Sequence, residues 1–359
     1  MQVRLKDVAQ ALGLSLSTVN SILHNRPNFK DATRQRVLEK AKELNYRPNW
    51  LARSLVTQKT QVCGVVVPNL SRSIFPAILE GIDEITHAAG YHLVVCSTGE
   101  DPEREEEEIA TLINKQVDGL IIASAREPKK NGRWEILGET RTPLVLVDRQ
   151  FAGAPFIGAD HKRIGLIATR HLIEQGYRAI AHLSRRNVVT GIGRCKGYVQ
   201  ALREAGMRVR RDFILDVQGE AGGYEGAKRL LQLNPRPDAI FATGDSIAIG
   251  AMRAIQESGL RMPTDIGIIG VGRIQYTEYL RVPLSTVDQH SVEAGKSAAS
   301  ILLRMIDGEP ACSAPVLLEP TLVVRDSSCR IPTPEAIPIR LRDNSSRVGQ
   351  SVRHGTEMK

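Results

Sequence analysis

Nine short runs rich in β-branched residues recur along the chain and constrain its fold more than any other feature. They are Val62–Val67, His92–Ser97, Gly119–Ala123, Leu144–Asp148, Ala179–Leu183, Phe213–Val217, Ala239–Thr243, Ile266–Val271 and Leu284–Val287. A run that is apolar at both parities reads as a strand buried on both faces, as in parallel sheets covered by helices. Amphipathic helical segments separate the runs. Turn residues follow most of them: Pro68-Asn69, Gly99, Gly158, Gly244-Asp245, Gly270 and Gly272. So many strands exceed one ordinary domain, and two successive doubly wound lobes accommodate them. The break is expected near Ala159–His161, with the chain crossing back near Gln289. Ligands of open parallel sheets sit beyond the carboxyl ends of the strands. A cleft between the two lobes is therefore the expected small-molecule site.

The first sixty residues follow a different pattern. Val8, Ala9 and Leu12 recur at helical spacing, a Gly13-centred turn follows, and Ser15 can cap a second short helix. Val19, Ile22 and Leu23 form the apolar stripe of that helix, leaving Leu16, Ser17, Asn20 and Ser21 to face a partner. Two short helices joined by a glycine turn make a helix-turn-helix pattern, although a structural helical hairpin would look the same. A third helix is expected to bury Val37, Leu38, Ala41 and Leu44. After the Asn45–Asn49 turn, Trp50–Val56 can make about two helical turns, too short to be stable alone in water. It is expected to be ordered only by a partner.

Charge separates the alternatives. The chain carries a net +8. Residues 1–60 hold eleven Lys/Arg against four Asp/Glu, and the body from 61 to 325 is close to neutral. A concentrated basic head on a neutral body suits phosphate binding, where counterion release supplies affinity. The five cysteines form no CxxC pair. No apolar run approaches the roughly 18 residues of a membrane span. Met1–Asp7 has no apolar signal core, so the cytoplasm is the expected location. The stretch from Asp326, with Pro332, Pro334 and Pro338, reads as a disordered tail.

Several fragments, in this order and spacing, resemble the lactose/purine repressor family of bacterial transcription regulators. They are Lys6–Ala9, Ser17–Val19, Tyr46–Asn49, Leu51–Leu55, Gly64–Pro68, Val117–Ile121 and Ile249–Ala251. The resemblance spans about residues 4–325. It implies a helix-turn-helix head (1–48), a hinge helix and linker (49–60), and a two-lobed α/β core like a periplasmic binding protein (61–325). Lobe 1 would comprise about 61–160 and 290–320, and lobe 2 about 161–289 and 321–325. It also implies a homodimer that binds an inverted-repeat, double-stranded DNA operator and a small-molecule effector, without a cofactor or a membrane.

Residue by residue, the resemblance puts Leu16, Ser17 and Ser21 at base-reading positions. Ser15, Thr18, Asn20, Asn25, Thr33, Tyr46 and Asn49 match positions that hold the phosphate backbone. Leu55 matches the hinge residue that wedges open a base step in the minor groove, or else it is a plain packing residue. Ser21 stands where a long Arg or His is common, and Asn20 where Ser is common. Asn69, Ser71, Phe75, Asp148, Arg149, Asp160, Arg194 and Gln289 fall where the family places effector contacts. In the second lobe, Gln218 replaces an aromatic platform, Gly244 an amide, and Gly272, followed by Arg273, a carboxylate. The result is a larger and less acidic site with Arg149, Arg185, Arg186, Arg194 and Arg273 near its rim. This favours a bulky or anionic sugar derivative, unless several of these arginines face solvent.

Catalytic motifs are lacking. Gly191–Gly197 is mis-spaced for a dinucleotide loop. The acidic run Glu103–Glu108 follows Asp101-Pro102 and reads as a solvated helix start. The main rival is a sugar-binding protein of a transport system, which should carry a secretion signal in place of the basic head. A nucleoid-type DNA binder without effector is the other. An apolar wedge costs a few kcal/mol of unstacking, offset by the surface that bent DNA brings into contact. Leu55→Ala should therefore weaken operator binding in fluorescence anisotropy while leaving dimerisation and effector affinity intact. An unchanged operator affinity removes the wedge role.

Overall fold

The computed structural model describes residues 3–23, 27, 29–46, 59–70, 74–125, 142–150, 154–310 and 314–330. Of the sequence expectations, Asn25, Asn49, Leu55 and Ser71, and the hinge segment around them, lie outside the described residues.

The head is a bundle of α1 (Leu5–Leu12), α2 (Leu16–Leu23) and α3 (Asp31–Glu43). Gly13 takes a left-handed φ of 65° at the end of α1, a conformation that costs glycine little. This sharp turn lets Val8, Ala9, Val19, Ile22, Val37 and Ala41 share one small core. Leu38, expected in that core, is 45% exposed because the inward face of α3 runs through Val37 and Ala41.

Among the described residues the body contains two six-stranded sheets. The first lobe has β1 (Val62–Val67), β2 (His92–Ser97), β3 (Gly119–Ile122), β4 (Leu144–Val147), β5 (Phe156–Ala159) and β11 (Val316–Leu318), in the spatial order β11-β5-β4-β3-β1-β2. The second has β6 (Ile180–Ser184), β7 (Ile214–Asp216), β8 (Ala239–Ala242), β9 (Gly267–Val271), β10 (Ser285–Asp288) and β12 (Thr321–Val323), in the order β12-β10-β9-β8-β6-β7. Ladders β1–β2, β1–β3, β3–β4 and β4–β5 are parallel, with Val65 opposite Val95 on one side and Ile121 on the other. The second sheet is parallel except that β12 runs antiparallel to β10. The described chain divides into two compact units at Gly158/Ala159, Gln289/His290 and Leu318/Glu319.

All nine expected runs form strands. The sequence reading lacked β5, β11 and β12, which are only three or four residues long. Two expectations of burial are corrected. Among the described residues β2 and β7 are edge strands: Val94 and Val95 are about two-fifths exposed, and in β7 Ile214 and Leu215 are only half-buried with Asp216 exposed. The tail is corrected as well. Ser327 and Ser328 are fully buried. Ser327 Oγ donates to Ile268 O at 2.7 Å, and Ser328 Oγ lies 2.7 Å from His171 Nε2, so residues 326–330 belong to the second lobe. Residues 331–359 lie outside the described set.

Helices cover both sheets: α4 (Ile74–Ala88), α5 (Pro102–Asn114) and α10 (Ser291–Ile306) in the first lobe, and α6 (His161–Glu174), α7 (Val189–Glu204), α8 (Gly219–Leu231) and α9 (Asp245–Glu257) in the second. Three helix pairs approach backbone to backbone through reciprocal glycines. A Cβ at Gly81 would strike the Val292 carbonyl and one at Gly295 that of Ile78, which locks α4 to α10. Gly165 and Gly197 do the same for α6 and α7, against the carbonyls of Arg194 and Lys162. Gly223 and Gly250 repeat the device for α8 and α9. Interiors this dense cannot absorb an extra methyl without shifting backbone. Gly197→Ala should therefore cost about 1–3 kcal/mol in urea unfolding. It should also weaken any ligand held by α7, whereas Gly206→Ala in the exposed turn after α7 should leave the geometry of Arg194 alone.

Candidate functional site

The N-terminus of α2 carries the base-reading and backbone candidates on a hydroxyl cluster. The Thr18 N–H donates to Ser15 Oγ at 3.1 Å, and Ser15 Oγ lies 2.8 Å from both Ser17 Oγ and Thr18 Oγ1. The cap frees α2 to end in solvent. Leu16 is 51% exposed, and Ser17 and Asn20 are exposed beside the half-buried Thr18 and Ser21. This is the face opposite Val19 and Ile22. Thr33 lies in the first turn of α3. The ring of Tyr46 packs against the head core, and that burial raises its hydroxyl pKa.

In the first lobe the candidates gather at the carboxyl ends of the strands. Asn69 follows β1, and Asp148 and Arg149 follow β4. Asp148 takes a φ of 63°, which turns the chain sharply enough for the Arg149 N–H to reach Val147 O at 2.7 Å. The Arg149 guanidinium is buried and forks onto both carboxylate oxygens of Glu100 at 2.9 Å, while Nη1 also donates to Ser124 O at 2.7 Å. Ser124 Oγ in turn donates to Glu105 Oε1 at 2.7 Å, and the Ala125 N–H donates to the other oxygen. Glu105 is fully buried, so the acidic run is not wholly solvated as expected. The helix start itself is as read: Asp101 accepts from the Glu103 N–H at 2.9 Å, with Pro102 in the first turn. Phe75 requires a correction. It is 1% exposed within the first lobe's core and offers no surface to an effector.

The second lobe builds its own constellation around Arg194 on α7. The side chain is buried. Nη1 donates to Thr243 O at 2.5 Å and Nη2 to Gln289 Oε1 at 2.8 Å, with His161 Nδ1 at 3.4 Å. One guanidinium thus ties the carboxyl ends of β8 and β10 to the start of α6. Asp160 caps α6 by accepting from the Arg163 N–H at 3.0 Å. Gly272 has a φ of 126°, open to glycine alone among common residues, and it leads into the exposed Arg273, whose Nη1 meets Asp288 at 2.8 Å. Gln218 is exposed at the start of α8. Arg186 pairs with Asp216 through Nε and its own N–H, at 2.8 and 2.7 Å. The expected set of rim arginines is therefore largely neutralised: Arg149, Arg186 and Arg273 each face a carboxylate.

Sequence reasoning missed Asp245, Glu100 and Ser124, which acquire roles only through partners distant in the chain. Asp245 is buried and accepts from Thr286 Oγ1 at 2.7 Å and the Ile274 N–H at 2.8 Å. Burial outweighs those bonds and lifts its carboxyl to about 6. His171 and His182 are held down at about 4 by burial. Among the described residues no three metal-ligating side chains cluster, and no helix is long and apolar enough to cross a membrane.

With this geometry, the comparisons with known proteins are decisive. Residues 4–49 match the model of bacterial regulatory proteins of the lacI family, and residues 169–328 match a periplasmic binding protein-like domain. The HTH-type transcriptional repressor PurR of Mannheimia succiniciproducens is 31% identical over 331 residues, covering 91% of this chain and 99% of that one. The ribose operon repressor of Haemophilus influenzae is 33% identical over 329 residues, covering 90% and 98%. The chain belongs to the lacI family of bacterial regulatory proteins. Its fold also matches the lac repressor dimer bound to operator and the anti-inducer ONPF, with a TM-score of 0.79 at 26% identity over 91% of this chain and 99% of that one. This lacI-family protein is accordingly a ligand-responsive, DNA-binding transcription regulator.

The titrations above give opposing pH trends. The two histidines, neutral when folded, contribute stability that is complete above about 6.5 and lost as the pH falls towards 4. Asp245 has a raised value, so its contribution is present below 3.8 and lost as the pH rises through about 6. Asp245→Asn should therefore steepen the gain in urea midpoint between pH 4 and 6.5. A slope equal to that of the parent protein would contradict the assignment.

Proposed function

We propose that this regulator is a homodimeric repressor of carbohydrate or related metabolite genes, whose operator affinity is set by a hydroxyl-rich, sugar-like effector. Leu16, Ser17 and Ser21 read base edges in each inverted half-site, while Ser15, Thr18, Asn20, Asn25, Thr33, Tyr46 and Asn49 hold phosphates. Leu55 wedges the minor groove between the half-sites. Effector occupancy biases folding of the hinge, one two-state element that both ligands share.

Arg194 carries the effector reading. A buried guanidinium already oriented by Thr243 and Gln289 can exchange those partners for vicinal hydroxyls, and a planar fork suits two adjacent acceptors. Asn69, Ser71, Asp148 and Arg149 from the first lobe, and Asp160, Gln218, Gly272, Arg273 and Gln289 from the second, complete the set we assign. Donors and acceptors are mixed, as a polyol requires. The pairing of Arg149 and Arg273 with carboxylates favours a neutral ligand. The glycine at 272 beside the exposed Arg273 supports a second reading, an acidic sugar or a sugar phosphate. The name of the ribose operon repressor, a relative, accords with either.

Operator selected from a random DNA pool, then titrated by anisotropy with and without ribose, glucose and ribose 5-phosphate, tests the proposal and reads the sign of the response. Arg194→Ala should keep operator affinity within about twofold and weaken the effector response more than tenfold, since a charge-assisted fork is worth about 1.5–3 kcal/mol. An operator affinity indifferent to every sugar and sugar phosphate would remove the effector assignment.

A further inference from the structure

The outer face of α7 is chemically unlike the face that carries Arg194. Ile192, Cys195, Val199 and Arg203 follow one another at helical spacing, with Lys196 alongside. The inner face of the same helix is occupied by Gly197, Tyr198, Ala201 and Leu202, all buried. A helix covering one side of a sheet ordinarily turns a fully polar face to solvent. Here apolar side chains stay half-exposed between the cations. They line a groove of about 560 Å³ within the second lobe, to which Lys162 from the first turn of α6 and Arg186 also contribute. That volume lies in the range of small-molecule sites, about 300–1,000 Å³.

The charge of the groove is one-sided. Four cations line it against one carboxylate, Glu204. Glu204 is itself engaged by Arg170 and Gln200, each at 2.7 Å, and Arg186 is engaged by Asp216. Lys162, Lys196 and Arg203 form no hydrogen-bonded ion pair among the described residues; Lys162 is near enough to help hold the Glu204 carboxyl low, which leaves Lys196 and Arg203 as the unmatched cations beside an apolar floor. Arg194 points the other way, into the strand-end constellation, and contributes no lining to the groove.

We propose that this groove is a second small-molecule site that takes an amphipathic organic anion. An aromatic or branched aliphatic body would lie on Ile192, Cys195 and Val199, and a phosphate or carboxylate would meet Lys162, Lys196 and Arg203. The chemistry differs from that of the effector site. A sugar-like ligand needs many directed hydrogen bonds, whereas this floor offers dispersion and burial with charge at one end.

Calorimetric titration of the full chain with phenyl phosphate tests the proposal, with benzyl alcohol as the apolar control and inorganic phosphate as the anionic one. Phenyl phosphate should bind saturably, at one site per chain and at least tenfold more tightly than either control. The double variant Lys196→Glu/Arg203→Glu should weaken that binding at least tenfold. Both residues are exposed, so its melting temperature and operator affinity should match those of the parent protein. Arg194→Ala, which addresses the effector site, should leave phenyl phosphate binding unchanged, so failure of one reading is distinguishable from failure of the other. The proposal is overturned if phenyl phosphate binds no better than the controls, if the double variant binds it equally well, or if Arg194→Ala abolishes binding. It is also overturned if an acidic helical peptide displaces phenyl phosphate and binds more tightly, because the groove would then be a protein-docking surface.

Discussion

Taking the guanidinium of Arg194 out of water is costly unless its hydrogen bonds are replaced, and the second lobe is organised around replacing them. Thr243 O and Gln289 Oε1 accept its two nitrogens, which requires the ends of β8 and β10 and the body of α7 to keep their spacing. The glycine contacts between α6 and α7 set that spacing, since Gly165 packs against the carbonyl of Arg194 itself. A packing constraint and a polar network thus act on the same residue. Its side chain is presented in one orientation, so a ligand that takes the places of Thr243 and Gln289 meets a fork already aimed. The first lobe solves a similar problem differently. Arg149 is fixed by Glu100 and Ser124, and Ser124 by Glu105.

The two networks explain why a count of arginines misjudges the charge of the site. Five arginines near strand ends suggest an anionic ligand. Arg149, Arg186 and Arg273 each turn out to have a carboxylate within hydrogen-bond reach, supplied by residues between fifteen and forty-nine positions away. Unmatched positive charge lies elsewhere, on the groove of α7, where Lys196 and Arg203 stand beside apolar side chains and Lys162 and Arg186 join them from other segments. At the head the logic is simpler. A short capped helix displays Leu16, Ser17 and Asn20 because Val19 and Ile22 are committed to the core.

Most of the architecture was legible from periodicity. Runs such as Val62–Val67 and Ile266–Val271 are strands because short, β-branched stretches apolar at both parities suit the middle of a helix-covered parallel sheet, and the division into two lobes near Ala159 and Gln289 follows from how many strands one sheet ordinarily holds. Phe156–Ala159 and Thr321–Val323 were missed because three or four residues carry too little pattern. Their strand character comes from neighbours already in place. The same holds for Ser327 and Ser328, polar residues in a proline-flanked stretch that look solvated until the second sheet supplies partners. Glu105 looked like one more surface acid of a helix start, and only the turn after β3 gives it hydrogen-bond donors.

Residue order alone therefore determined the three-helix head, the basic charge concentrated there, the strand–helix alternation and the family to which the chain belongs. Each depends on neighbours within a turn or two of helix, or on composition, and survives without knowledge of long-range contacts. Tertiary structure alone decided which acid meets which arginine, that Phe75 is core, that Asp245 is buried, and that one face of α7 forms a cationic groove. Those outcomes depend on the distance between segments remote in sequence. Electrostatic and packing energies change steeply over a few ångströms that no local pattern encodes.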